Sequence, residues 1–542
     1  MKALISKLRN HLSRFGARIL LLCLWLFLSG MTIAGALVSG SSYDEVFHEQ
    51  YLRDDFLNLH SWLNGDLITQ RPLDGSGNAL EFLGHIVNVI LGNDKWLSTV
   101  STTPHGIAGR HFVMALLGIY GSILVYRLTK LLTRNPVVSM VAATALLAIP
   151  MWSGSAFFNP KDTPAAVGLA GLTYLFSKLL KDHDIFATHA EGWSNHKTVK
   201  ILTSVALSIE AAFFVFISVG TRPGIVSLAG IFTLFAIILL IVKRQIKGVT
   251  SLLALLLVGF YASVVVNPLS YDNPLTYFLH EMSVSSRFTE WNGVNLVAGH
   301  LMRAQANSWW YELAWVAAQT PLLIELTLIV VAIGLILFWI RKLRAVSISR
   351  ENYRTLLPTP DVYAILPTLA LLIFPLAYSV FFHPVLYNAS RHLLMVYPAI
   401  AVLFGLAVHK ILVLPKKEWQ RVVLPILIAS SLLAPTWQGL GLFPYNYVYI
   451  NPVARLFGTN GHWDFDYWKL SLPEAVKLAP PTGVWITYWP NPVPANHPTP
   501  YWIAGWIDPN YPDLPPSCQK TYVTRPLGLS TIKLSYLAVC TN

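Results

Sequence analysis

About eleven long apolar runs divide the chain, and this pattern constrains its fold more than any other feature of the sequence. A helix of about 20 apolar residues can cross the hydrocarbon core of a bilayer. Lipid offers backbone polar groups no water, so such runs must form helices. The pattern predicts an all-α polytopic membrane protein with about eleven transmembrane helices. The runs lie at roughly 19–38, 111–127, 136–152, 164–178, 201–219, 224–242, 249–266, 319–340, 362–382, 392–409 and 421–436.

The composition agrees with this pattern and excludes several classes of protein. Of the 542 residues, 54% are hydrophobic and only 12% are charged, whereas a soluble globular protein carries about 25% charged residues. An ordinary soluble enzyme, a disordered chain and a coiled coil are therefore excluded. The net charge is +12, but the basic residues form no clustered face, so no nucleic-acid partner is expected.

Basic residues occur in alternate loops between the apolar runs, and the other loops are poor in Lys and Arg. Loops rich in Lys and Arg stay in the cytoplasm, so we expect a cytoplasmic N-terminus and an exoplasmic C-terminus. The first run is longer than the apolar core of a signal peptide, which indicates an uncleaved helix. The basic loop residues are Arg127, Lys130, Arg134, Lys178, Lys181, Lys197, Lys200, Lys243, Arg244, Lys247, Arg341, Lys342, Arg344, Arg350, Arg354, Lys410, Lys416, Lys417 and Arg421.

This topology divides the chain into a transmembrane domain at 1–436 and a small exoplasmic mixed α/β domain at 437–542. Two long loops of the membrane domain, at 39–110 and 267–318, are expected on the same outer side. The final segment is long enough to fold on its own. An exoplasmic location favours a disulfide between Cys518 and Cys540, and two reduced thiols are the alternative.

A pair of carboxylates, Asp44 and Glu45, follows the first apolar run directly. A carboxylate at the membrane boundary could take a proton from an acceptor hydroxyl during group transfer, so both are candidate catalytic residues. A solvated loop start is the simpler interpretation of the spacing. Asp54, Asp55 and Asp66 follow in the same loop, where carboxylates suit a hard cation. No cofactor is required by the pattern, and a divalent metal is one alternative.

Several cations on the outer side break the topology rule and therefore need another explanation. Arg binds phosphate as a fork and Lys binds it as a point charge, so these residues together indicate a phosphate site. Snorkelling of single side chains to lipid headgroups is the alternative. The candidate phosphate-binding residues are Arg110, Lys161, Arg222, Arg391 and His392.

Aromatic and polar side chains near these cations are candidates for contact with a sugar or an acceptor. Anchoring at the membrane interface is the alternative for each Trp. The candidates are Asp162, His383, Tyr387, Trp309 and Trp310, and the loop at 267–318 adds Tyr271, Tyr277, His280, Glu281 and Trp291.

Short motifs carry a resemblance to a known superfamily. Asp44-Glu45 follows the first span, Arg110 begins the second, and Asp162 ends a short turn before the fourth. Further matching segments lie at 307–322, 445–451 and 466–471. In this layout the chain resembles the GT-C superfamily of membrane glycosyltransferases. Within the superfamily it is similar to the bacterial branch that holds the GT39 protein O-mannosyltransferases and the lipid A aminoarabinose transferases.

The resemblance implies a polyprenyl-phosphate sugar donor and an inverting transfer (EC 2.4) at the outer face of a bacterial inner membrane. Asp44 would match the base and Glu45 its supporting carboxylate. The acceptor would be a glycan, a lipid or a protein hydroxyl, and membrane lipids would surround the spans.

Two other functions fit the same layout. A lipid-linked glycan flippase or transporter would keep ionisable residues deep within its spans, and Glu210 is the clearest acid in such a position. An interhelical hydrogen bond is the simpler interpretation of Glu210. A polysaccharide polymerase or ligase shares the multi-span layout, but a long external loop late in the chain would favour it.

Overall fold

The fold is known from a computed structural model, which describes residues 2–68, 77–98, 100–182, 197–242, 246–286, 291–347, 363–413, 417–480, 486–488, 500–510 and 514–541. Five of the basic loop residues lie outside these ranges, namely Lys243, Arg244, Arg350, Arg354 and Lys416.

Helices account for most of the described chain. In chain order they are α1 Lys2–Val38, α2 Glu45–Asn64, α3 Ala79–Ile90, α4 Pro104–Thr133, α5 Pro136–Ala148, α6 Pro150–Phe158, α7 Asp162–Asp182, α8 Lys197–Thr221, α9 Val226–Val242, α10 Ile246–Val265, α11 Pro274–Ser286, α12 Tyr311–Gln319, α13 Leu322–Ser347, α14 Leu366–Phe382, α15 Val396–Val413, α16 Glu418–Leu442 and α17 Leu472–Val476.

The helices agree with a protein that crosses the membrane several times. Within the described ranges, six helices are each long and apolar enough to span a bilayer, and the number rises to eight if each of two bent pairs forms one span. The bent pairs are α5 with α6, at 63°, and α12 with α13, at 113°. Three shorter apolar helices, within α8, α10 and α14, coincide with the remaining predicted runs. The chain is therefore a multi-pass membrane protein, and the number of eleven spans stays a prediction.

Small residues bring the central helices α4, α6, α7 and α8 close together. A Cβ atom added at Gly118 of α4 would lie 2.4 Å from the Cβ atom of Ala156 of α6. A Cβ atom added at Gly171 of α7 would lie 2.4 Å from the ring of Phe214 of α8. The indole of Trp152 donates to the carbonyl of Gly118 at 3.2 Å. Glycine is needed at both positions because the opposing helix occupies the space of a side chain.

Glu210 of α8 forms a structural contact between helices. Its carboxylate accepts hydrogen bonds from the hydroxyl of Tyr120 and from both terminal nitrogens of Arg127, one of them at 2.9 Å. Both partners belong to α4, so the interhelical interpretation of this mid-span acid is confirmed.

The C-terminal part of the chain carries a small mixed sheet. Four strands, β3 Ile486–Tyr488, β4 Tyr501–Trp506, β5 Cys518–Leu527 and β6 Ser530–Cys540, are arranged in the order β3-β4-β6-β5. β3 runs parallel to β4, and the other pairs are antiparallel. Cys518 and Cys540 are opposite each other in β5 and β6 and form a disulfide. A separate two-stranded sheet, β1 Val294–Val297 with β2 His300–Arg303, lies in the loop before α12.

The C-terminal part is anchored to the membrane domain beside α6. The backbone around Asn446–Val448 lies against Gly154 of α6, where an added Cβ atom would be 2.3 Å from the amide nitrogen of Tyr447. Gln319 at the end of α12 donates to the carbonyl of Tyr447 at 2.9 Å. This backbone approach holds the chain after α16 in place.

We expect Gly154→Ala to lower the thermal unfolding midpoint of the purified protein, because its methyl group meets backbone that cannot move aside. Overpacking of this kind costs about 1–3 kcal/mol. The matched control is Gly334→Ala on α13, where no atom lies within 4 Å of an added Cβ. There alanine should be neutral or stabilising by up to about 1 kcal/mol. Equal midpoints for the two variants would contradict the predicted contact.

Candidate functional site

A cavity of about 1150 Å³ lies where the first external segment, the ends of several helices and the C-terminal part meet. Its wall includes the residue that precedes α2, the turn that precedes α7, the segment after α8, and the loop between α14 and α15. Eight of the residues that the sequence singled out line it: Asp44, Lys161, Asp162, Arg222, Trp291, Tyr387, Arg391 and His392.

Asp44 is the N-cap residue of α2 and faces this cavity. Its carboxylate accepts a hydrogen bond from Arg391 at 3.3 Å. Burial raises the pKa of Asp44, but the attraction of Arg391, Lys161 and His48 outweighs it, so the pKa lies below its ordinary value. Asp44 is therefore ionised at neutral pH.

Arg391 is the best-packed cation of the site. Only 5% of the residue is exposed. Its guanidinium carbon lies 4.4 Å from the ring centre of Trp468 and 4.8 Å from that of Tyr387. Aromatic faces attract a guanidinium, and the Asp44 carboxylate balances its charge. These contacts hold one face of the charged group towards the cavity.

A short turn before α7 presents Lys161 and Asp162. The side-chain oxygen of Asn159 accepts from the amide of Lys161 at 3.2 Å and from the amide of Asp162 at 2.9 Å. The side-chain nitrogen of Asn159, Nδ2, donates to the Asp162 carboxylate at 3.0 Å. Asp162 in turn pairs with Arg222, which follows α8. The turn thereby fixes the positions of two cations at the cavity wall.

The imidazole of His392 lies between two guanidinium groups. Arg222 donates to its Nδ1 at 2.7 Å, and the Nε of Arg391 lies 3.2 Å from its Nε2. Burial, together with the charges of Arg222, Arg391 and Lys161, holds the pKa of His392 well below its ordinary value. The ring is therefore neutral at neutral pH. A neutral imidazole accepts a hydrogen bond at one nitrogen and donates from the other. One arginine N–H group therefore faces the N–H group of the ring, and a bound anion could accept hydrogen bonds from these donors.

Two predicted residues, Glu45 and Arg110, lie outside the cavity in a buried cluster beside it. Glu45 Oε1 is 2.5 Å from the Nε2 of His111, and Arg110 pairs with Glu49. Glu45 and Glu49 are one turn apart on the same face of α2, which points into the bundle. The structure therefore separates Glu45 from Asp44, and Arg110 from the other cations.

Three of the predicted sugar or acceptor residues are also away from the cavity. Trp309 is 55% exposed. Trp310 is half-buried against His300, with ring centres 5.7 Å apart. His383 follows the last residue of α14 with a positive φ of 46° and is exposed. Trp291, by contrast, lines the cavity, and its ring stacks on Tyr387 at 4.7 Å.

The segment from Asp464 to Ser471 supports the site, although the sequence showed it only as a resemblance. The carboxylate of Asp466 accepts from the amides of Leu470 and Ser471 at 3.0 and 3.2 Å and from the hydroxyls of Tyr447 and Ser471. These bonds close a tight turn that carries Trp468 beneath Arg391. Asp466 itself has a positive φ of 48°, a conformation in which Asp is enriched among non-glycine residues.

Lys469 of the same turn connects the C-terminal sheet to the start of α2. Its ammonium lies 4.0 Å from the ring centre of Tyr43 and 3.9 Å from that of Trp506. The amide of Tyr43 donates to the carbonyl of Trp468 at 3.3 Å. Burial lowers the pKa of Lys469, although the charges of Asp508, Asp44 and Asp466 oppose this. In the sequence, a single external Lys beside aromatic residues is the signal that could have identified Lys469.

Asp54, Asp55 and Asp66 suggested a divalent metal, which stays a prediction. Across the described ranges, no group of three or more His, Cys, Asp or Glu side chains is placed to hold an ion. Asp55 is buried and accepts from the side chain of Asn78 at 2.5 Å, whereas Asp66 is exposed.

No protein-family model matches the chain, and no curated protein matches it in sequence. Among solved structures, ArnT from Cupriavidus metallidurans is similar in two forms. The form bound to undecaprenyl phosphate has 14% identity and a TM-score of 0.42, and the apo form has 13% and 0.44. Each comparison covers 97% of this chain and 98% of ArnT.

The Archaeoglobus fulgidus oligosaccharyltransferase in its apo form is also similar, with 14% identity and a TM-score of 0.45. That comparison covers 79% of this chain and 56% of the other. At TM-scores this low, the roles of the site residues depend on this chain's own geometry.

We expect Asp466→Asn to lower the thermal unfolding midpoint, because an amide nitrogen would face donors that now bond a carboxylate. Loss of such buried hydrogen bonds costs about 1–3 kcal/mol. Asp66→Asn changes the same group at an exposed position and serves as the control. If both variants melt together with the parent protein, the turn does not depend on Asp466.

Proposed function

We propose that this chain is a membrane glycosyltransferase that moves a sugar from a polyprenyl-phosphate donor to an acceptor hydroxyl at the outer face of a bacterial inner membrane. One observation carries the proposal. A single cavity places an ionised carboxylate, Asp44, beside a group of cations and next to an apolar opening between helices.

The apolar end of the cavity fits a lipid chain. Ile231 of α9 and Phe374, Tyr378, Phe381 and Phe382 of α14 line it. Phe381 is 76% exposed and Phe382 is 73% exposed at the helix end. Apolar side chains exposed on a membrane helix face lipid, so a polyprenyl tail could enter between α9 and α14 without crossing a polar surface.

The cationic part of the cavity fits a phosphate at the end of that tail. Lys161, Arg222 and Arg391 line the wall near Asp44, with the neutral ring of His392 between the two arginines. Arg groups offer paired donors to phosphate oxygens, and Lys adds a point charge. We assign the neutralisation of the leaving phosphate to these side chains.

In the proposed step, the oxygen of the acceptor hydroxyl forms a bond to the anomeric carbon of the donor sugar. The bond between that carbon and the phosphate oxygen breaks, and its electron pair stays on the polyprenyl phosphate. The hydroxyl proton passes to the carboxylate of Asp44. Attack from the side opposite to the phosphate inverts the anomeric configuration.

Donor binding also tunes the base. In the free cavity Arg391 and Lys161 hold the pKa of Asp44 low, which leaves it ionised but weakly basic. A phosphate that engages these cations adds negative charge near Asp44, and a like charge raises a carboxyl pKa. Asp44 would then become a stronger base only when the donor is present.

A flippase or transporter is the second candidate, since it too needs a cavity for a lipid-linked phosphate. Glu210, the mid-span acid that suggested it, is paired with Arg127 and Tyr120. That pairing favours a structural role for Glu210.

We expect Asp44→Asn to abolish release of polyprenyl phosphate from a panel of polyprenyl-phosphate sugars, with a rate at least about 100-fold below that of the parent protein. The assay uses purified protein in lipid nanodiscs and separates the released lipid by chromatography. Asp66→Asn, also an acid-to-amide change in the first external segment, should retain full activity.

Full turnover by Asp44→Asn would contradict the role of the Asp44 carboxylate as the base. If the parent protein releases no polyprenyl phosphate from any donor of the panel, the transporter becomes the favoured function.

The pH dependence should differ between the two kinetic constants. The acid limb of kcat/KM reports the free protein, where the pKa of Asp44 is below its ordinary value, so kcat/KM should stay flat down to strongly acidic pH. The acid limb of kcat reports the donor complex and should lie at higher pH. Coincident acid limbs would contradict the proposed effect of the phosphate on Asp44.

A further inference from the structure

The cavity has a second polar part, beside Tyr43, that the proposed donor does not use. It is lined by Trp291, Asn292, Lys469, Trp506, Asp508 and Asn510, which we call the distal subsite. These residues come from the loop before α12, from the turn after α16 and from the end of β4. The distal subsite therefore joins the C-terminal part to the membrane domain.

Specific contacts between distant segments build the distal subsite. Asn510 donates to the carbonyl of Val294 at 3.0 Å and accepts from the amide of the same residue. The carboxylate of Asp508 accepts from the indole of Trp506 at 3.2 Å and from the side chain of Asn510 at 2.7 Å. Gly293 allows the close approach, since a Cβ there would lie 2.8 Å from the side-chain oxygen of Asn510.

Two indole groups are held at this end in fixed positions. Trp291 stacks on Tyr387 with the ring planes 22° apart. Trp506 is held by its bond to Asp508 and by the ammonium of Lys469, 3.9 Å from its ring centre. Rigid aromatic groups combined with a few fixed polar groups are typical of sites that bind small ligands with specificity.

The charge of the distal subsite differs from that of the phosphate end. Lys469 and Asp508 oppose each other in sign, and the remaining side chains are amides and indoles. A phosphate would gain little there, whereas a neutral ring with several hydroxyl groups would find carboxylate and amide oxygens as acceptors and indole faces for its C–H groups.

The position of the distal subsite relative to Asp44 indicates which substrate the subsite would bind. Arg391 bonds Asp44, and Lys469 contacts the ring of Tyr43 next to it in the chain. Asp44 therefore adjoins both the cations and the distal subsite, and a general base must lie next to the acceptor hydroxyl. In an inverting transfer, the acceptor approaches from the side opposite to the phosphate. We propose that the distal subsite binds a carbohydrate ring of the acceptor, an inference that rests on the proposed function and makes the acceptor a glycan or glycolipid.

The test measures sugar binding without any turnover. Saturation-transfer NMR on the full chain in lipid nanodiscs, which avoid sugar-headed detergents, is recorded with the methyl glycosides of glucose, galactose, mannose and N-acetylglucosamine. At least one of these should bind saturably. Trp506→Ala and Asp508→Asn should each weaken that binding at least about fivefold, as expected for loss of a stacking or hydrogen-bonding partner.

Trp309→Ala is the matched control, because Trp309 is an exposed Trp outside the cavity. It should leave glycoside binding within about twofold of the parent value. Trp506→Ala should bind undecaprenyl phosphate as tightly as the parent does. Asp508→Asn keeps the size of the side chain and provides the result if Trp506→Ala does not fold.

Three outcomes would overturn the inference: no glycoside binds saturably, binding survives in both cavity variants, or Trp506→Ala weakens undecaprenyl phosphate instead. If the protein turns over a donor but binds no glycoside, the acceptor subsite is wrong and the proposed glycosyltransferase activity stands. If the protein binds a glycoside but turns over no donor, the result supports a sugar-binding site and contradicts the proposed glycosyltransferase activity.

Discussion

The guanidinium of Arg391 is the interaction on which the site depends. A buried cation is costly unless its charge and its hydrogen-bond donors are satisfied, and here three parts of the chain supply the partners. Asp44 contributes the opposing charge, and the rings of Trp468 and Tyr387 pack against the guanidinium. The start of α2, the loop before α15 and the C-terminal turn are therefore held together by one charged group. Loss of any partner would leave the cation poorly compensated.

This arrangement also explains why the C-terminal part belongs to the site. The turn closed by Asp466 carries Trp468 beneath Arg391 and Lys469 between Tyr43 and Trp506. Both ends of the cavity thus rest on the same short turn. The cations and the group of indoles and amides therefore line one cavity, and Asp44 lines it with them.

The candidate phosphate residues illustrate how far topology alone can reach. External cations violate the positive-inside rule, and that reasoning selected Lys161, Arg222 and Arg391, which line one cavity in the structure. The same reasoning selected Arg110, which instead pairs with Glu49. Arg110 differs from the other cations because its partner Glu49 lies on the inward face of α2. The positions of charged residues in the sequence do not show which face of a helix turns inward.

The carboxylate pair shows the same limit at a finer scale. Asp44 and Glu45 are adjacent in sequence, yet Asp44 precedes α2 and faces the cavity, whereas Glu45 lies in its first turn and bonds His111. Adjacent residues at a helix start point about 100° apart, so a shared motif gives them different surroundings.

The sequence by itself determined the apolar helices and the candidate polar groups, because hydropathy and charge are local properties of the chain. It did not determine which polar groups meet. Asp44 and Arg391 are 347 positions apart, and Asn510 reaches Val294 across 216 positions. Such contacts depend on how helices pack and where the C-terminal turn is anchored. Only the tertiary structure therefore decided that these residues share one cavity, since burial of a charge requires a partner that folding alone brings within reach.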